Sequence, residues 1–143
     1  MIDKYQVTPT VSLAAYSAND VIGGRMQFPG IRHGTLDHIS IVDLANQTVD
    51  YVLVLFDAIP TDIVDNATFD IADADIDNII YRQVFNAGDR WAFTDNAVHM
   101  INKINLKVRS TEQDGDLWAF LYTTGTPTFA STSDIVVTLW VEH

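Results

Sequence analysis

Tyr51-Val52-Leu53-Val54-Leu55-Phe56 is an unbroken apolar run, rich in β-branched and aromatic residues and closed by Asp57. It is too short for a buried helix and lacks a 3.6-residue rhythm. It therefore reads as the centre of a strand over Val49–Asp57, covered on both faces.

Upstream, Asn46-Gln47 marks a turn. Before it, Leu36–Asp43 alternates Leu36, His38, Ser40 and Val42 with Asp37, Ile39 and Ile41, apolar on much of both faces, as a mostly buried strand would be. Pro29-Gly30 opens a loop that runs through Gly34. Val21–Phe28 is a further expected strand, and Gly23-Gly24 inside it predicts a bulge or a close backbone approach. Asn19-Asp20 turns the chain into it. Val7–Tyr16 is the first expected strand, with Pro9 near its start, where a missing N–H is tolerated at an edge.

Downstream, Asp73–Ile80 is the one helix expected. Asp73 would cap it, Asp75 and Asp77 would favour its positive end, and Ile76, Ile79 and Ile80 would share a face. After the turn cluster Asn86-Ala87-Gly88-Asp89 come Trp91-Ala92-Phe93 and a strand over Ala97–Val108. In that strand Val98, Met100, Ile104, Leu106 and Val108 fall at even positions and predict one buried face. Gln113-Asp114-Gly115-Asp116 is a hairpin signal joining it to Leu117–Thr123. Thr124-Gly125-Thr126-Pro127 breaks the chain again before Asp134–Val141. Seven or eight strands at short spacing, with one short helix in a crossover, predict an all-β antiparallel sandwich or jelly roll. No linker or repeat divides the chain, so residues 1–143 are expected to form a single domain.

The chain carries 19 Asp plus Glu against 8 Lys plus Arg, a net charge of −11, and 17 of the acids are Asp. Asp favours caps and turns, which agrees with many loops and few helices. A negative field repels phosphate backbones and anionic lipid, so neither nucleic acid nor membrane is expected as a partner. With no cysteine, disulfides and thiolate metal sites are excluded. The first residues, Met1-Ile2-Asp3-Lys4-Tyr5, lack the basic and apolar regions of a signal peptide, so synthesis in a cytoplasm is expected.

Candidate chemistry is sparse. Asp73-x-Asp75-x-Asp77 opens like a calcium loop, but Asn78 and Val84 stand where the glycine and the bidentate glutamate belong. A helix start accounts for the same acids. His33 and His38 flank Asp37, and His99 lies on another strand. No tight His-x-His with a following acid is present, and a core or groove histidine is the more economical account of His38. His143 reads as a frayed end. No Gly-x-Ser-x-Gly elbow and no phosphate-binding glycine loop occurs, so no catalytic residue, no metal ligand and no cofactor is assigned. Trp118, Phe120 and Tyr122 alternate on one strand face. They form either part of the core, the favoured reading, or a platform that could stack on sugar rings.

Three stretches carry a likeness to known proteins. These are Asp20-Val21-Ile22-Gly23-Gly24, Tyr51 to Pro60, and Asp65-Asn66-Ala67-Thr68-Phe69-Asp70-Ile71-Ala72-Asp73-Ala74-Asp75. Over roughly residues 7–85 the chain resembles a group of small virion structural proteins of tailed phages. The resemblance implies a β-rich decoration or cement protein on the capsid surface, binding between major capsid subunits as a homotrimer, with no enzymatic activity. On that reading residues 1–8 are a candidate docking arm, with Tyr5, Val7, Pro9 and Val11 as interface residues that add to a neighbour's sheet. A carbohydrate- or receptor-binding sandwich on a phage particle is the alternative.

Overall fold

The run Tyr51–Phe56 is strand β4 of a computed structural model that describes all 143 residues, and every one of its six side chains is buried. Its odd members, Tyr51, Leu53 and Leu55, enter the main core. Its even members, Val52, Val54 and Phe56, enter a second, smaller cluster on the other side. A continuous apolar run is what a strand covered twice requires.

Around it stand β1 (Ile2–Val7), β2 (Met26–Phe28), β3 (His33–Asp43), β5 (Ile79–Phe85), β6 (Trp91–Ala92), β7 (Ala97–Ile101), β8 (Leu106–Arg109), β9 (Leu117–Thr123) and β10 (Ile135–Glu142). Two antiparallel sheets result. One has the order β1-β10-β3-β7-β6 with β8 also on β3, and the other has the order β2-β9-β4-β5. The main core lies between them, built from Leu36, Ile39 and Ile41 of β3, Val137, Leu139 and Val141 of β10, and Leu117, Ala119 and Leu121 of β9 facing β4. The all-β sandwich expected from the sequence is what forms. No helix is long and apolar enough to cross a membrane.

Several elements differ from the expectation. The first strand is Ile2–Val7, earlier than Val7–Tyr16, and residues 8–16 run without strand pairing, with Val11 and Tyr16 buried. The stretch Val21–Phe28 pairs as strand only at Met26–Phe28. Gly23 and Gly24 both hold positive φ, and a Cβ on Gly23 would collide with the Pro9 ring, so the expected close approach is real. The helix Asp73–Ile80 is a 3-10 turn over Asp73–Asn78. It has no side-chain cap, and Ile76 is exposed. Ile79 and Ile80 open β5 instead, a strand the helical reading concealed.

Ala97–Val108 is two strands. Lys103 and Asn105 take left-handed φ between them and reset the alternation. In β7 the odd residues Ala97 and His99 are buried, not the even ones, whereas in β8 it is the even Val108. The long β3 accepts both strands, β8 along His33–Leu36 and β7 along Ile39–Asp43. Finally, Gln113–Asp116 is a turn with Gly115 at φ +79°, but it makes no hairpin. It carries the chain from β8 in one sheet to β9 in the other.

Candidate interaction surface

Each sheet has an outer face, and the two are finished differently. On the four-stranded sheet, Val52, Val54 and Phe56 project outward beside Trp118, Phe120 and Tyr122 of β9. The connection from β4 to β5, residues 57–78, folds over them as a strap, and Ile63, Phe69 and Ile71 pack down onto the sheet. Phe69 stacks on Tyr122 with centroids 4.5 Å apart and meets Phe120 edge-on at 5.8 Å.

The strap is pinned by residues of the two outer motifs quoted above. Asp65 Oδ1 accepts from the Tyr16 hydroxyl at 2.6 Å and from the Gly23 amide at 2.7 Å. Val21 N–H donates to Ala67 O at 2.8 Å, Asn66 N–H to Val21 O at 2.8 Å, and Phe69 N–H to Asn19 O at 2.7 Å. Glu112 holds the strap's first residues, accepting from Ile59 N–H at 3.0 Å and from Trp118 Nε1–H at 2.6 Å. The motifs are thus a latch, and the local backbone explains their composition. Gly23 and Gly24 bring the chain close, and Asn66 takes the left-handed turn (φ 65°) that Asn tolerates.

The placement decides what Trp118, Phe120 and Tyr122 can do. They share a face as read, but that face is the outer one beneath the strap rather than the inner face. Phe120 is 1 % and Trp118 9 % exposed, and the Arg25 guanidinium sits 5.2 Å from the Trp118 ring centroid. No flat aromatic platform faces solvent there.

The outer face of the six-stranded sheet carries no such cover. Register places its side chains in rows. Lys4, Trp140 and His38 form one row. Gln6, Thr138, Ser40 and Met100 form the next. Val136, Val42, Val98 and Trp91 form the last. His38 stacks on Trp140 with centroids 4.1 Å apart, and Lys4 Nζ stands 5.7 Å from the Trp140 ring centroid. Val42, Val98, Met100, Val136 and Trp140 remain partly exposed and belong to neither core cluster. At the corner, Trp91, Phe93 and Leu44 are 55, 58 and 46 % exposed. The apolar side chains gather at the Val136, Val42, Val98 and Trp91 end with Met100, and the polar row of Gln6, Thr138 and Ser40 separates them from Trp140. Exposed Trp and Met beside polar residues is the composition of a protein-binding surface.

Charge follows the same division. The strap, residues 57–78, holds seven Asp and no Lys or Arg. Of the eight Lys and Arg, Lys4, Lys107 and Arg109 project from the bare face, and Arg32, Arg90 and Lys103 lie in loops of the same sheet. The chain's ion pairs involve only the N-terminal amine and two histidines, so no Lys or Arg is spent on an internal salt bridge.

The remaining sequence candidates scatter. The docking-arm residues are built into the domain. β1 pairs with β10 throughout, Tyr5 and Val7 pack against the main core, and Pro9 and Val11 are buried, so residues 1–8 are an edge strand rather than a detached arm. Asp75 is buried and accepts the Thr61 amide at 2.8 Å, while Asp73 and Asp77 point to solvent. His33 and His143 line one open recess, and His38 and His99 lie elsewhere on the six-stranded sheet. His38 bonds Asp37 at 2.7 Å and His143 meets the Tyr5 hydroxyl at 2.8 Å. His99 is buried against Tyr51 and Phe85, and burial then Arg90 lower its pKa. No group of three His, Asp or Glu side chains is arranged to hold a metal ion. The buried carboxylate of Asp43 is pushed up by desolvation and accepts from Tyr51 Oη and the amides of Ala45 and Gln47, closing the turn between β3 and β4.

Sequence reasoning missed the bare face because its residues come from five strands and meet only through register. One signal was available, the absence of any Lys or Arg from residues 57–78. No family model matches this chain, and no curated protein matches it either.

Proposed function

We propose that the chain is a structural protein of a tailed-phage virion, a decoration or cement protein of the capsid. Its bare sheet face would seat between neighbouring major capsid subunits, and its acidic strap would turn outward. The observation that carries this reading is the contrast between the two outer faces. One is sealed by a latched, Asp-rich strap, and the other presents Trp91, Phe93, Met100, Val98 and Trp140 flanked by free cations. A protein that only needed to stay dissolved has no use for such a face, whereas a clamp between subunits does. The phage context comes from the resemblance of the three motifs. A symmetric capsid position would be filled by a homotrimer, each copy using the same patch. The sugar-binding alternative has less to rest on, because the rings it needs lie beneath the strap.

The test uses particles of a phage that encodes the chain, imaged by electron cryomicroscopy with and without its gene. Deletion is expected to remove density from the outside of the head at symmetry-related positions. Added wild-type protein should restore that density, and a Trp91→Ser/Phe93→Ser variant should not. Heads that keep every surface density after deletion would sink the proposal.

A further inference from the structure

At the end of the bare face where β3 begins, three cationic side chains gather. Two open recesses, of about 290 and about 270 Å³, meet at His33. Lys107 walls the first, and Arg32 and Arg109 wall the second, which has no hydrophobic residue in its lining. All three cations are exposed and make no hydrogen bond or ion pair within the chain. The two carboxylates of these walls are already engaged. Glu112 accepts from Trp118 Nε1–H and Ile59 N–H, and Glu142 from the Met1 amine at 3.1 Å.

Arg32 is held there at a conformational cost. Its φ is +61°, a left-handed backbone that a long side chain rarely adopts. The strain is fixed from both sides, since Arg32 N–H donates to Gly115 O and Ser110 N–H donates to Arg32 O, both at 2.8 Å. His33 lies directly across from Arg109 and Thr35 across from Lys107, so the two cations rise from one face of the same ribbon. Alternate residues of a strand are spaced by about 6.6 Å. The cations therefore form a row rather than converging on one point.

We propose that this row is a receptor for an extended acidic segment of a partner protein, with alternate carboxylates meeting Lys107 and Arg109 and a further one meeting Arg32. A single phosphate would need convergent donors, whereas carboxylates at every second position of an extended strand repeat at the spacing of the row. Guanidinium groups hold carboxylates as paired forks, which sets the register as well as the attraction. In a chain of net charge −11, most of the surface repels an acidic ligand, so the row also favours where it lands. This deepens the capsid reading by naming the chemistry of the contact, and it is tested without a capsid, so the two fail separately.

The experiment titrates an acetylated, amidated heptapeptide of alternating Asp and Ser into the intact protein and follows backbone amide resonances. Saturable shifts confined to residues 32–35 and 107–110 are expected. Affinity should weaken at least tenfold in Arg109→Glu and also fall between 50 and 200 mM salt. Arg109 is exposed, so the variant should keep the wild-type fold by circular dichroism. No shifts, shifts elsewhere, or shifts unchanged in Arg109→Glu would overturn the proposal. So would inorganic phosphate giving the same shifts at the same concentration, which would mark a simple anion site. A salt-sensitive oligomer seen by light scattering and abolished by Arg109→Glu would assign the row to a second copy of the chain and overturn the proposal.

Discussion

Phe120 and Trp140 both point away from the main core, one from each sheet. Phe120 lies under Phe69 and the strap and is 1 % exposed, while Trp140 has only His38 beside it and Lys4 above it. Similar side chains on similar strands thus end in opposite environments, because one inter-strand connection is long and latched and the connections over the other sheet are not. The sheathed face contributes to stability, since its apolar area is removed from water within the chain. The bare face contributes little until something covers it. The same sandwich thus closes one apolar surface within the chain and leaves the other open.

Substitutions should separate the two faces. Phe120→Ala removes a fully buried ring from the sheathed cluster and is expected to cost about 3–5 kcal/mol in urea unfolding. A loss below 1 kcal/mol would mean the strap is only loosely seated. Asp65→Ala unlatches the strap by deleting an acceptor shared by Tyr16 Oη and Gly23 N, at an expected cost of about 2–4 kcal/mol. Asp65→Asn should cost much less, because one oxygen serves both donors and the amide retains it. Equal losses for the two variants would move the effect from the latch to charge.

The next effect is set by pH. His99 has its pKa lowered by burial and Arg90. The unfolded chain therefore takes up the proton first as pH falls through about 6.5. The stability associated with the neutral ring is full above that value and is lost below it, down to the folded pKa, at no more than about 1.4 kcal/mol per pH unit. His99→Phe should flatten that part of the stability profile, and an unchanged slope would assign it to other groups. The smallest effect is expected on the bare face. Trp91→Ala should change stability by no more than about 0.5 kcal/mol, and a loss near that of Phe120→Ala would show that the face is part of the core after all.

How far the sequence speaks differs along the chain for physical reasons. Tyr51–Phe56, Leu117–Thr123 and Ile135–Val141 were legible because burial on one or both faces leaves a direct hydrophobic pattern. Asp73–Ile80 was misread because Asp at a first turn and isoleucines three and four apart suit a helix. A 3-10 turn entering a strand places the same residues, and local pattern does not separate the two. Ala97–Val108 places apolar residues at every even position but Asn102, yet two left-handed residues reverse the faces midway. The latch was visible only as a likeness of motifs. That Asp65 and Gly23 touch depends on a contact 42 residues apart, which no local rule reports.

β10 lies between β1 and β3, so an interior strand of the six-stranded sheet is supplied by Ile135–Glu142 and its edge by Ile2–Val7. During synthesis the first strand therefore has no partner until residue 142 has left the ribosome, and β3 waits with one side open. Such long-range closure predicts slow folding relative to helical domains of the same size. It also makes the chain sensitive to truncation before Ile135: loss of β10 would remove an interior strand and leave β1 without its partner.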